Sequence, residues 1–177
     1  ADAVVFCAGA GETRPPIDGI DHALPLRTAE HAEAIRNRLD PEGAVTVIGG
    51  GATGVQLVGA ISASRAASTV RIVEVEPRLL PTMRPDSSEG AARILRSRGV
   101  EILADATVDR IGPDHIVVDG EELTGLVVWA GGFAPRTDGL EVALNDGGQI
   151  VTDEFLRVSG MIRTFAAGDV AEHRTDD

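Results

Sequence analysis

The chain has 177 residues, 43% of them apolar, and a formal charge of −12. That length suits one substantial core with at most a small appendage, and the charge argues against nucleic acid and anionic membrane surfaces as partners. All 16 basic residues are Arg, and a single cysteine, Cys7, leaves no internal disulfide and no paired-cysteine redox motif within the sequence. His22, His31, His115 and His173 are scattered without metal-ligand spacing, so no metal site is expected. The sequence contains no signal peptide and no apolar run of transmembrane length. It opens without Met, directly into an apolar run, as a piece of something larger would.

Residues 3–7 read as a buried strand, with Cys7 as a small core residue, and residues 8–11 as a turn. The Pro-, Gly- and Asp-rich stretch 14–25 has no periodicity and reads as an extended connection. Thr28 is placed to cap a helix with apolar positions Ala29, Ala32, Ile35 and Leu39, which Pro41 and Gly43 terminate.

The stretch from Val45 to Glu76 organises the rest. An apolar strand, Val45, Val47, Ile48, breaks into Gly49, Gly50, Gly51, Ala52, Thr53 and Gly54, which satisfy G-x-G-x-x-G. A helical pattern (Leu57, Val58, Ile61, Arg65) and a second apolar strand, 69–73, follow, and Glu74 ends the unit 20 residues past Gly54. Each part has a chemical purpose: Gly49 permits a tight turn, Gly51 lets backbone approach a pyrophosphate, and Gly54 lets helix and strand meet closely. The helix N-terminus offers N–H groups and partial positive charge to phosphates. Glu74 is placed to accept hydrogen bonds from ribose hydroxyls, and Glu76 adds surface charge that would repel a 2′-phosphate. The bland alternative is a glycine turn that only turns and an acid that only ends a strand.

After Glu76 comes a loop with an apolar anchor, Arg78, Leu79, Leu80, Pro81. Asp86 with Glu89 resembles a capping box at the start of the next helix, which Gly99 stops. Residues 100–103 read as a third parallel strand. The period then changes: short runs at 107–111, 115–119 and 122–124 with turn residues between them suggest an antiparallel meander. Residues 126–129, with Trp129 in the core, return to an unbroken apolar strand ending at Gly131 and Gly132. A turn at 145–148, a strand-like Ile150–Val151 pair and the run 164–167 into Gly168, Asp169 and Val170 complete the chain. Asp169 is also suited to cap a helix.

These motifs resemble the FAD-dependent pyridine nucleotide-disulfide oxidoreductase superfamily, and within it most resemble type II NADH dehydrogenases. The resemblance rests on residues 4–9, on the glycine turn with Glu74, on Arg78-Leu79-Leu80-Pro81, on residues 127–132 and on residues 165–170. The chain departs from the family pattern at Cys7-Ala8-Gly9, at Gln56 (commonly Glu) and at Pro135-Arg136 (commonly Pro-Asn).

The resemblance implies an α/β fold: a Rossmann-like parallel sheet of order 3-2-1-4 with helices on both faces and an antiparallel meander in the last crossover. It implies a FAD-domain fragment and connection over 1–26, an NADH-binding domain over 27–142 and a second FAD-domain fragment over 143–177, with 3–7 and 164–167 paired as parallel strands in a separate small sheet. Implied cofactor-binding residues are Gly49, Gly50, Gly51, Ala52, Thr53, Gly54, Glu74, Arg78, Gly131, Gly132, Gly168 and Asp169; no side chain is assigned as a catalytic acid or base. Implied cofactors are NAD(H) and, in the complete protein, FAD. The implied function is passage of hydride from NADH to FAD and of electrons to a quinone or similar acceptor. Implied partners are NADH and the remaining FAD and C-terminal interface domains, and the chain alone is then incomplete and inactive. A homodimer and a cytoplasmic protein held peripherally at the inner face of the cell membrane are left open. So are a stand-alone NAD-binding or sensing module and part of a disulfide, ferredoxin or peroxide reductase.

Overall fold

The computed structural model describes residues 2–172. In chain order they form β1 (Val4–Phe6), β2 (Ala10–Glu12), β3 (Leu24–Pro25), α1 (Ala29–Arg38), β4 (Ala44–Ile48), α2 (Ala52–Ser64), β5 (Thr69–Glu74), α3 (Pro85–Ser97), β6 (Glu101–Ala104), β7 (Val108–Ile111), β8 (His115–Val118), β9 (Glu121–Thr124), β10 (Leu126–Trp129), β11 (Phe133–Pro135) and β12 (Thr164–Ala166). The chain divides into two units, Ala1–Thr13 with Phe133–Asp177, and Arg14–Gly132. The divisions therefore fall at 13/14 and 132/133 instead of the expected 26/27 and 142/143. The connection 14–25 belongs with the second unit because Ile17 and Ile20 pack into its core.

That unit is built on a five-stranded parallel sheet, β3-β10-β4-β5-β6. The four strands expected from the sequence stand in the expected order, and β3 adds an edge beside β10 that the Pro-rich connection concealed. Strand residues alternate between faces. On one face Val45, Val47, Val70, Ile72 and Val128 meet Ile35 of α1, Val58 and Ile61 of α2 and Leu95 of α3. On the other, Ile48, Val73, Val127 and Trp129 meet Ile111, Ile116 and Val118 of the meander. The expectation of helices on both faces is corrected here: all three helices share one face, and the antiparallel sheet β7-β8-β9 covers the other. The crossover between β6 and β10 carries its own apolar face and so does the work of a second helical layer.

Helix starts follow local chemistry. The Thr28 hydroxyl accepts the His31 N–H at 3.3 Å, and its hydrogen bond to the Glu30 carboxylate is the main reason that acid lies below the usual carboxylate range. The capping box expected at Asp86 does not form. Pro85 takes the first helical position, which needs no N–H, and Arg84 stands at the cap without a side-chain bond.

In the other unit β1 and β12 pair in parallel as a separate two-stranded sheet, as expected, with Val4 opposite Thr164 and Phe6 opposite Ala166. β2 and β11 pair antiparallel. A small core of Ile150, Val158, Ala166, Val170 and Ala171 anchors the unit. The expectation that residues 3–7 are buried is corrected: Val4 and Val5 are 46% and 58% exposed, and Cys7 is exposed. Val4 and Val5 point to opposite faces of a sheet of two strands, which cannot bury both, and of β1 it is Phe6 that packs against the small core.

Candidate functional site

The glycine turn lies between the C-terminal end of β4 and the start of α2, at the carboxyl edge of the parallel sheet. Its glycines have different reasons to be there. Gly49 has φ of 107°, and a Cβ there would fall 2.7 Å from the Ala130 carbonyl oxygen and from Gly131 Cα. A Cβ on Gly54 would fall 1.9 Å from the Gly49 carbonyl oxygen. One on Gly50 would meet Leu79 Cδ2 at 2.7 Å and Glu74 Oε2 at 2.9 Å. Gly51 differs: nothing stands within 4 Å of the position its Cβ would take. Three glycines thus close the turn against its neighbours, and Gly51 leaves open space above it.

α2 begins at Ala52 with Gly51 as its cap and no side-chain capping bond. The first N–H groups of a helix have no intrahelical partner, so those of Ala52 and Thr53 face the same open side as Gly51, with the positive end of the helix dipole behind them.

Glu74 ends β5 and is 8% exposed. Its Oε2 accepts the Gly50 N–H at 2.6 Å and its Oε1 accepts the Glu76 N–H at 3.0 Å. The carboxylate is thus fixed in orientation at the mouth of the turn, with lone pairs left to accept from a ligand hydroxyl. Glu76 itself is exposed. Arg78 was expected at a cofactor; its guanidinium instead donates to the carbonyls of Leu80 (3.3 Å), Pro81 (2.7 Å) and Met83 (3.1 Å).

Gly131 lies against the turn through Gly49, and its missing side chain makes room for the Trp129 ring, which a Cβ would approach to 2.4 Å. Gly132 takes φ of 124°. Gly168 and Asp169 belong to the other unit; both are exposed. Gly168 takes φ of 79° in a turn closed by the Ala171 N–H. No helix follows Asp169 among the described residues, so the cap expected there is a turn, because Val170 is drawn into the small core.

Sequence reasoning missed Arg27. A hollow of about 340 Å³ is lined by Leu26, Arg27, Thr28 and Thr53, which brings Arg27 to the start of α2. The signal available was a charged residue directly before a helix cap, and it was masked because Thr28 already accounted for that position. Among the described residues no group of His, Cys, Asp and Glu could hold a metal ion, and no helix is long and apolar enough to cross a membrane.

A parallel sheet with a glycine turn after its central strand, an uncapped helix start beside that turn and a fixed carboxylate at the end of the next strand define a Rossmann-like α/β domain. The chain belongs to the pyridine nucleotide-disulphide oxidoreductase family, which it matches over residues 1–176. It is 30% identical over 175 residues to dihydrolipoyl dehydrogenase of Acholeplasma laidlawii, covering 94% of this chain and 51% of that protein. It is 28% identical over 189 residues to demethylphylloquinone reductase of Synechocystis sp., covering 98% and 47%. Among solved structures, the water-forming NADH oxidase of Lactobacillus brevis bound to NADH has a TM-score of 0.82 and 28% identity, over 96% of this chain and 39% of that one. The chain spans about half the length of the curated relatives it matches.

Proposed function

We propose that Arg14–Gly132 is the NADH-binding domain of a flavin-dependent oxidoreductase that passes hydride from NADH to FAD and electrons on to a quinone or similar acceptor. The observation that carries the reading is the open space over Gly51 beside the uncapped start of α2, with the Glu74 carboxylate fixed at the rim. Bound NADH would supply the hydride and bound FAD would receive it. The chain's own residues bind and orient. Backbone N–H groups of Gly51, Ala52 and Thr53 receive the pyrophosphate, Glu74 accepts from the adenosine ribose, and Gly131 and Gly132 let the chain pass close on the nicotinamide side.

The relative bound to NADH supports the choice of cofactor, and the demethylphylloquinone reductase supports a quinone as acceptor. The dihydrolipoyl dehydrogenase favours a disulfide substrate instead; this sequence holds one cysteine, so that reading needs a redox pair from outside it. Gly168 and Asp169 are assigned to flavin contact, and action at the inner face of the membrane goes with a quinone acceptor. Calorimetric titration of the purified chain with NADH tests the reading; saturable one-site binding is expected, and no heat or shift in melting temperature at millimolar NADH overturns it.

The same reading predicts that this chain does not retain FAD. All three α-helices lie in the Arg14–Gly132 unit, so among the described residues the other unit offers no helix N-terminus to a second pyrophosphate. The visible absorbance of never-denatured protein is expected to lack flavin bands. Stoichiometric yellow protein would overturn this.

A further inference from the structure

Residues 77–84 form a loop with no regular structure but many constraints. Arg78 reaches across it to three carbonyls, those of Leu80, Pro81 and Met83. The buried Ser88 hydroxyl, on α3, donates to the Leu79 carbonyl at 2.6 Å. Leu80, buried, takes φ of 51°, a left-handed conformation costly for a residue with a branched side chain. Such a conformation persists only where its surroundings impose it, and its result here is specific. The Leu80 N–H points at the glycine turn and donates to the Gly50 carbonyl at 2.8 Å, while the Leu79 side chain closes over Gly50 so that a Cβ there would have no room. With Glu74 on its N–H, Gly50 is held from both sides.

We infer that Arg78 and Ser88 are positioning residues for the dinucleotide turn: they hold the Leu79–Leu80 segment against Gly50 and thereby set the direction of the N–H groups that receive the pyrophosphate. This rests on the proposed reading of the turn. It gives Arg78 a different role from direct contact with the cofactor, and gives Ser88, which touches no part of the turn, a role in affinity. An arginine clamping carbonyls does so through its planar fork of donors, so a chain of similar length without the fork loses the function.

The test uses Arg78→Met and Ser88→Ala, with Arg93→Gln, an exposed arginine on the same helix, as the control. Hydrogen exchange at the Leu80 and Gly50 amides reads the loop directly. Both are expected to exchange at least about tenfold faster in Arg78→Met and Ser88→Ala, with β4 and β5 protection unchanged. NADH affinity is expected to fall by about ten- to a hundredfold in each, since small misplacement of binding groups has effects of that size, and the two changes together should give less than the sum because they act through one segment. The dependence of NADH affinity on salt is expected to keep its wild-type slope in Arg78→Met, whereas loss of a direct phosphate contact would flatten it. Wild-type exchange rates at Leu80 overturn the inference, and so does a flattened salt slope in Arg78→Met with full affinity in Ser88→Ala. Failure of the wild-type chain to bind NADH overturns the proposed function instead, and the exchange rates then decide by themselves whether these residues hold the turn.

Discussion

Gly51→Ala is expected to fold as well as the wild type and to bind NADH about a hundredfold more weakly, whereas Gly54→Ala is expected to lose stability first. Gly51 has φ of −69° and ψ of −177°, which alanine adopts freely, and nothing stands within 4 Å of the new methyl group. Restricting the unfolded chain would even favour the folded state by about 0.4–1 kcal/mol. The cost falls on the ligand. A methyl group at the closest approach of backbone to pyrophosphate displaces it by about 1 Å, and displacement of that size costs about a hundredfold. Gly54 is the opposite case. Its Cβ would stand 1.9 Å from the Gly49 carbonyl oxygen, so β4 and α2 must separate. Overpacking of that kind costs about 3 kcal/mol, only partly offset by the better helix propensity of alanine, and for a chain of this size corresponds to a melting temperature lower by roughly ten degrees. Thermal melts and calorimetric titrations of both variants check the pair. Gly51→Ala binding NADH like the wild type would mean that the turn does not receive the phosphates.

The contrast between these glycines shows where the sequence was informative and where it was not. The motif spacing identified the turn, because a strand that stops at glycine and a helix that starts three residues later leave few alternatives. The strand order and the pairing of β1 with β12 came from the resemblance. Spacing alone could not tell which glycine faces open space, since that depends on what β10 and the loop after β5 place beside each one. The same holds for Glu74 and Arg78. Their residue types suggested ligand contacts, but their hydrogen bonds run to backbone groups 24 and two to five residues away, and only the folded chain brings those groups into reach. Cys7 and Val5 read as core because apolar runs usually are, yet the sheet formed there has only two strands, Cys7 lies just past its end, and both residues are exposed. The meander misled in another way: its short alternating runs were legible as strands, but nothing in them says which face of the parallel sheet they cover.

The wild-type chain is expected to prefer NADH to NADPH by about ten- to a thousandfold, and substitutions at Glu74 should separate two causes. The carboxylate stands at the end of β5 with Glu76 two residues on, and a 2′-phosphate would meet both charges. Like charges at such range in partly screened surroundings cost on the order of a few kcal/mol, and each 1.4 kcal/mol is about tenfold in affinity. The two arginines nearest Glu74 in the chain are engaged elsewhere: Arg71 is paired with Glu101 at 2.8 Å, and the Arg78 guanidinium is turned to its own loop's carbonyls. Glu74 also locks Gly50, so deleting the side chain does more than remove charge. Glu74→Gln keeps an oxygen for the Gly50 N–H, loses the negative charge and turns its amide NH2 on the Glu76 N–H that Oε1 now accepts; it is expected to bind NADH within about tenfold of wild type, one hydrogen bond being lost, and to admit NADPH. Glu74→Ala frees the Gly50 N–H and leaves it buried without its acceptor, a loss worth about 1–3 kcal/mol, so both cofactors should bind weakly. Calorimetric titration of NADH and NADPH against the three proteins reads the difference. Equal affinities in the wild type would show that Glu74 does not select between the cofactors. Identical behaviour of the Gln and Ala variants would show that the carboxylate acts on the ligand alone and that the turn keeps its shape without it.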